Sequence, residues 1–235
     1  MIRALVLIWK GYCYTLGVLA FAFVLVQAWF GFHVLWWKYN NPGSTRFMSD
    51  RLVELREARP DATLNHSWVD YEQIATALKR AVIVAEDARF AEHEGFDWEA
   101  MQRARERNQK RGRPVAGGST ITQQLAKNLF LSGERSYLRK GQEALITLML
   151  EAILDKRRIL EIYLNVAEWG EGIFGAEAAA NHYYRVAAAR LTNEQAARLA
   201  AMLPRPRYYD KNRGSGFLAG HAARIQARMP AATLP

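Results

Sequence analysis

The chain has 235 residues, half of them hydrophobic, with a slightly negative mean hydropathy. That balance fits one membrane segment plus a soluble domain with a sizeable core, and it excludes a multi-span protein. A formal charge of +9 favours anionic partners such as nucleic acid, anionic lipid or phosphate esters, and a single cysteine, Cys13, excludes an intramolecular disulfide.

No Asp, Glu, Lys or Arg occurs from Gly11 to Trp37. A bilayer span needs about 20 apolar residues, so the run suffices with room for tilt. Trp9, Tyr12 and Tyr14 at one end, and Trp29, Trp36, Trp37 and Tyr39 at the other, suit the two headgroup zones, with His33 at the second. Arg3 and Lys10 make residues 1–10 a short cytoplasmic tail by the positive-inside tendency, against the opposing pull of Lys38 and Arg46. A cleaved signal peptide is the competing reading. The apolar core is too long for one, and Asn40-Asn41-Pro42-Gly43-Ser44 is not a small-x-small cleavage site. The expected organisation is a tail over 1–10, a transmembrane helix over 11–37, a linker and juxtamembrane segment over 38–66, and one domain over 67–235.

That domain reads as all-α, because helical spacing recurs and no alternating strand stands out. Asp70, with Gln73 three residues on, predicts a capped helix that turns Ile74, Leu78, Ala81, Val82 and Ala85 inward. Asp97 predicts the cap of a second helix running to Gln109. The Arg- and Lys-crowded stretch from Arg103 to Arg113, closed by Gly112 and Pro114, predicts a mobile, solvated loop. Thr120 and Gln123 form another capping pair, with Ile121, Leu125 and Leu129 on the buried face. Tyr137 to Leu154 predicts a long helix carrying Leu145, Leu148, Met149 and Ala152 inward, and Arg157 to Asn165 a short one. Trp169 to Gly175 is a glycine-punctuated turn. Ala176 to Tyr184 and Asn193 to Met202 complete the helices, the last capped by Thr192 with Gln195 and stopped by Pro204 and Pro206.

Glu86 and Asp87 close the apolar run Ala81-Val82-Ile83-Val84-Ala85. Partial desolvation there raises a carboxylate's proton affinity toward the working range of a general base. Two neighbours on a helix end point different ways, so they should have different roles. The plainer alternative is a capped helix end with a surface salt bridge. Gly117-Gly118 lets the backbone approach a ligand closely, and Ser119 and Thr120 open a helix whose N-terminus favours anions. Gln123 and Lys127 share one face and Gln124 and Asn128 an adjacent one. Amides and an ammonium suit sugar hydroxyls plus phosphate; otherwise the pattern is a solvated helix face. Arg139, Lys140 and Glu143 lie within one turn. Two cations beside a carboxylate can clamp a pyrophosphate leaving group, by direct charge or with a divalent ion at Glu143. An ordinary i,i+4 surface pair fits the same spacing equally well.

Taken in order, Glu86 to Gly95, Gly117 to Asn128, Arg139 to Glu143, Arg158 to Asn165 and Gly172 to Ala180 resemble the five motifs of the peptidoglycan glycosyltransferases. The resemblance runs from Val69 to Arg207. The anchor and the short length look like the monofunctional branch of Gram-negative bacteria. The chain contains no Ser-x-x-Lys, so no transpeptidase activity is expected.

The resemblance implies a lysozyme-like, mainly helical domain with a small jaw subdomain beside the membrane, and it puts the Arg103 to Val115 stretch in the jaw's mobile loop. It implies polymerisation of lipid II into β-1,4-linked glycan, with inversion at the anomeric carbon and release of undecaprenyl pyrophosphate. Glu86 then matches the general base. Glu143 matches a second essential carboxylate that supports the departing pyrophosphate, directly or through Mg²⁺ or Mn²⁺; no organic cofactor is implied. Lys127, Arg139 and Lys140 match phosphate-contacting cations, and Ser119, Thr120, Gln123, Gln124 and Asn128 the substrate-lining helix. Glu161, Tyr163 and Asn165 match a motif that is mainly structural. The implied partners are lipid II, the lipid-linked growing chain, the membrane, and cell-wall synthesis or division proteins. The implied location is the bacterial inner membrane, single-pass, with the catalytic domain in the periplasm.

Three rival readings fit less of the chain. A lytic hydrolase of lysozyme type needs no cluster of Lys127, Arg139 and Lys140. A noncatalytic scaffold does not need Glu86 and Glu143 together. A nucleic-acid binder accounts for the charge, yet no motif supports it, and pyrophosphate and anionic headgroups account for the charge as well.

Overall fold

The computed structural model describes residues 2–113, 117–133 and 136–235. It divides into two compact units, Met1–Asn40 and Asn41–Pro235. The first is a single helix, α1 (Ile2–Trp37), which starts inside the basic tail instead of after it. Its stretch Leu5–Trp37 is long and apolar enough to cross a membrane. At about 1.5 Å per residue its 33 residues are longer than the hydrocarbon core of a bilayer is thick.

The second unit is mainly helical. Its helices are α2 (Arg46–Ala58), α3 (Thr76–Glu86), α4 (Trp98–Arg111), α5 (Ile121–Phe130), α6 (Tyr137–Ile153), α7 (Lys156–Val166), α8 (Ala176–Tyr184), α9 (Asn193–Met202), α10 (Pro206–Lys211) and α11 (Gly216–Arg228). Three very short strands, β1 (Asn65–His66), β2 (Glu168–Gly170) and β3 (Ile173–Phe174), form a sheet in the order β1-β3-β2. β1 runs parallel to β3, with Asn65 opposite Ile173, and β2 is antiparallel to β3. The expected glycine turn over Trp169 to Gly175 is therefore a small hairpin. Strands of two or three residues are too short to show alternation, so the pattern could not reveal them.

The core lies where α3, α5, α7 and α9 meet. Leu78, Val82 and Ile83 of α3, Ile121 and Leu125 of α5, and Ile159, Leu160 and Ile162 of α7 are buried, as are Trp169 and Phe174 of the sheet. Buried alanines, Ala178 to Ala180 on α8 and Ala196, Ala197, Ala200 and Ala201 on α9, let these helices pack closely. α9 packs on both α3 and α11, and α5 on both α6 and α7.

Several local expectations change for identifiable reasons. The helix expected from Asp70 is only a turn of 3₁₀ helix at Tyr71–Gln73, where Asp70 makes no side-chain cap; α3 begins at Thr76. Tertiary partners take that backbone instead. Glu161 accepts the Tyr71 N–H at 2.8 Å, and the buried Asn165 holds both the N–H and the carbonyl of Val69 at 2.9 Å. The basic stretch from Arg103 is solvated but helical as far as Arg111, because Asp97 caps α4 at Ala100 and Gly112 ends it at φ +60°. Pro114 and Val115, the end of the expected loop, lie outside the described residues. On α6 the buried face is Glu143, Ile146, Thr147 and Leu150, whereas Leu145 and Leu148 are exposed, Met149 is half-buried and Ala152 is exposed. Two stripes with helical spacing run along this helix, and periodicity alone does not choose between them. Pro206 stops nothing; it opens α10 from the first helical position, where its missing N–H costs nothing.

Candidate active site

α3 delivers two adjacent carboxylates to different places. Glu86 is the last helical residue and Asp87 the C-cap, with an extended backbone at φ −159°. Asp87 is buried and committed to structure. It accepts the Ile121 N–H at the start of α5 at 3.0 Å, and His93 Nε2 lies 2.9 and 3.1 Å from its two oxygens. Much of the surrounding segment is scaffold too. Arg89 forks onto Asp97 at 2.8 and 3.2 Å, and the buried Phe90 lies beneath the Lys156 ammonium. Gly95, at φ +88°, lets the loop close on α6, where a Cβ would stand 2.7 Å from Thr147 Cγ2. The Gly95 carbonyl accepts the Thr120 hydroxyl at 2.7 Å, which ties this loop to the start of α5.

Glu86 is partly buried, and its Oε2 accepts a 2.7 Å hydrogen bond from Gln124 Nε2. Burial pushes its pKa above the usual carboxylate range. The Gln124 bond opposes that rise, the Asp87 charge adds to it, and the Lys127 ammonium opposes it. Gln124 is in turn held by Tyr163, whose hydroxyl donates to Oε1 at 2.9 Å.

α5 starts with a complete capping box. Thr120 Oγ1 accepts the Gln123 N–H, and Gln123 Oε1 accepts the Thr120 N–H. The helix then separates two cavities. Gln124, Lys127 and Asn128 line a cleft of about 1110 Å³, with Tyr163 behind them and Phe47 and Arg51 of α2 opposite. Ser119 and Gln123 line a smaller cavity of about 580 Å³, together with Lys140 and residues of α4. Thr120, the N-cap, lines neither of these two cavities; it builds the helix start.

Glu143 is 3 % exposed at the inner side of α6. Arg139 Nη1 lies 2.8 Å from its Oε2, and the Lys140 ammonium contacts Oε1. Ser136 caps the helix at the Arg139 N–H, so the two cations and the carboxylate are fixed within one turn. Lys127 joins this group electrostatically. Burial lowers its pKa, Glu143 raises it, Arg139 and Lys140 lower it further, and Glu86 raises it. Its ammonium stands 5.7 Å from the centre of the Phe47 ring. Lys127 thus lies within electrostatic reach of both Glu143 and Glu86.

Sequence reasoning missed α2, which supplies Phe47 and Arg51, and the cleft's far wall, which includes Glu168, Arg205, Arg207 and Lys211. Arg51 and Glu168 form a buried ion pair at 2.8 Å that fastens α2 to β2. The signal for α2 was present: Thr45 caps it, and Met48, Arg51 and Leu55 are spaced by three and four along its buried face. A buried arginine disguised that stripe. Among the described residues, no group of three His, Cys, Asp or Glu side chains converges on a point. Both oxygens of Glu143 face cations, Arg139 on one and Lys140 on the other.

The Transglycosylase family model matches residues 53–230. The chain belongs to the Transglycosylase family. Its relatives include three proteins named biosynthetic peptidoglycan transglycosylase. That of Aromatoleum aromaticum is 62 % identical over 221 residues, covering 94 % of this chain and 96 % of the relative. That of Dechloromonas aromatica is 61 % identical over 213 residues, covering 91 % and 92 %, and that of Methylobacillus flagellatus 56 % over 229 residues, covering 97 % and 98 %. The transglycosylase domain is lysozyme-like, and the chain is an enzyme of glycosyl transfer. Its family match begins at Val53, inside α2, in keeping with the place of that helix in the cleft wall.

Proposed function

We propose that this transglycosylase polymerises lipid II, moving a growing glycan from undecaprenyl pyrophosphate onto the 4-hydroxyl of the next disaccharide. The observation that carries this reading is a half-buried carboxylate, Glu86, bonded to Gln124 on the helix that also bears Lys127, together with Arg139 and Lys140 held on the buried Glu143. Glu86 takes the hydroxyl proton as that oxygen attacks the anomeric carbon from the face opposite the phosphate. The carbon–oxygen bond to pyrophosphate breaks, and its electron pair leaves with the phosphate, where the cations meet the developing charge. Glu143 keeps the cations together before the substrate arrives. Arg139, Lys140 and Lys127 meet that charge directly, and Glu143 is the side chain that would hold a divalent ion beside the pyrophosphate. A hydrolase would need only the carboxylate; the cations are what a charged leaving group requires.

Purified full-length protein in detergent, given labelled lipid II, is expected to yield glycan polymer on a gel. The yield should be the same with penicillin, because the chain holds no Ser-x-x-Lys for an acyl-enzyme. Cleavage of preformed glycan without polymer would overturn the proposal in favour of a lytic enzyme.

In the same reading α1 anchors the enzyme in the bacterial inner membrane, with Arg3 and Lys10 on the cytoplasmic side and the domain in the periplasm. The apolar helix and the lipid-linked substrate support it: both are confined to one thin layer, which raises their effective concentration. A chain starting at Asn41 keeps its own core and should fold, with a higher requirement for lipid II and a little-changed maximal rate. Circular dichroism checks the first expectation and lipid II titration the second. An unchanged substrate dependence would show that the domain alone supplies the membrane contact.

A further inference from the structure

We propose that Tyr163 is a positioning residue, which through Gln124 orients Glu86 and favours its ionised form. This rests on the reading of Glu86 as the base. Tyr163 lies in the fourth of the sequence motifs, whose other polar members are structural: Glu161 accepts the Tyr71 N–H and Asn165 holds Val69. Tyr163 differs, because its hydroxyl points into the site. It donates to Gln124 Oε1 at 2.9 Å, and Gln124 Nε2 donates to Glu86 Oε2 at 2.7 Å. The two bonds form a chain in which each donor points toward the carboxylate.

A glutamine amide has one donating and one accepting end, and it can turn over. Turned over, it would set its carbonyl against the Glu86 carboxylate. A hydroxyl donating to Oε1 satisfies that oxygen in the productive orientation and polarises the amide N–H facing Glu86. One carboxylate oxygen is then held while Oε1 of Glu86 remains for the incoming hydroxyl. The ring of Tyr163 is 1 % exposed, so its placement is fixed by the core and not by solvent. Burial, with the charges of Glu86 and Asp87 added, pushes the phenol well above its ordinary pKa and keeps it a donor. The larger cleft reaches Tyr163 as well, so direct contact with substrate is the alternative to be separated by experiment.

The test measures lipid II polymerisation against pH for the full-length enzyme and for Tyr163→Phe, Gln124→Met and the double variant, each checked by thermal melting. Tyr163→Phe keeps the ring and removes only the donor. It should lower kcat about 5–10-fold at neutral pH, the effect of one neutral hydrogen bond. KM should stay within about twofold, since no substrate contact is lost. The acid limb of kcat/KM should move to higher pH, because losing the donor chain favours protonated Glu86. Gln124→Met should move the limb the same way, and the double variant should be no worse than Gln124→Met, because Tyr163 acts only through that amide.

An unmoved limb in Tyr163→Phe, a loss confined to KM, or losses that multiply in the double variant would each overturn the proposal. If Tyr163→Phe fails to fold, Gln124→Met carries the pH test, and an unmoved limb there overturns it equally. The base reading fails separately. An acid limb that persists in Glu86→Gln rejects Glu86 as the base, whereas a limb that vanishes in Glu86→Gln yet stays in place in Tyr163→Phe rejects only the role of Tyr163.

Discussion

Glu86→Gln is expected to remove nearly all turnover and leave the fold intact. The amide has almost the shape of the carboxylate, and its own oxygen can still accept from Gln124 Nε2, so the hydrogen bond at 2.7 Å has a successor. What it cannot do is take a proton from the acceptor hydroxyl. Loss of a general base costs about 10²–10⁴-fold, and the rate should fall by that amount with little change in KM. Asp87 cannot substitute, since its oxygens are engaged by the Ile121 N–H and by His93. A second consequence concerns stability. The raised pKa of Glu86 means that the fold favours the protonated form; the stability that form contributes is fully present below the ordinary carboxylate pKa and is lost as the pH rises through the raised one. Where the Glu86 carboxylate is ionised, it is a charge that burial disfavours. The neutral amide removes that cost, so the variant should melt at the same temperature or higher. A variant keeping more than about a tenth of the wild-type rate would remove Glu86 from the role of base.

Glu143→Gln tests the other half of the site. The carboxylate holds Arg139 and Lys140 on its two oxygens, and its charge does most to offset the effect of burial on the pKa of Lys127. Without it, three cations face one another with less to keep them together. Removal of one electrostatic stabiliser from a preorganised site costs about 10²–10³-fold in kcat, and that loss is expected here. The pH profile should change in a particular direction. Removing the negative charge lowers the pKa of Lys127 below its already reduced value, so the basic limb should move to lower pH. Steady-state rates across the pH range check both points. A basic limb that stays in place would show that Lys127 is not coupled to Glu143 in the working enzyme.

The sequence made some of this legible and hid the rest for physical reasons. The capping boxes at Thr120 and Thr192 were readable because a cap is a local device, set by residues three apart. Asp97 was readable for the same reason. Asp70 and Gln73 resemble a helix start, yet the Tyr71 N–H goes to Glu161 and the backbone of Val69 to Asn165, partners about ninety residues away that no local pattern reports. On α6 the inward stripe contains Glu143, a charged residue that a hydrophobic pattern assigns to solvent; the function of the site turned the helix the other way. α2 was hidden by Arg51 in the same manner, since Arg51 is buried against Glu168. The separate roles of Glu86 and Asp87 could be anticipated from their adjacency at a helix end. Which of them is tied to the cleft residue Gln124 could not, because that depends on the N–H of Ile121 taking Asp87.

The hydrogen bond from Ile121 to Asp87 also sets how errors in position propagate. Glu86 and the residue that grips α5, Asp87, are neighbours in the chain. The start of α5 is thus tied directly to the residue beside Glu86, and Gln124 on the same helix bonds Glu86 itself. The proposed polymerisation, adding one disaccharide after another, requires a return to the same geometry at every addition. Here that geometry is referenced to a contact on the residue next to the reacting group, so the accuracy of each cycle does not depend on the whole fold holding still.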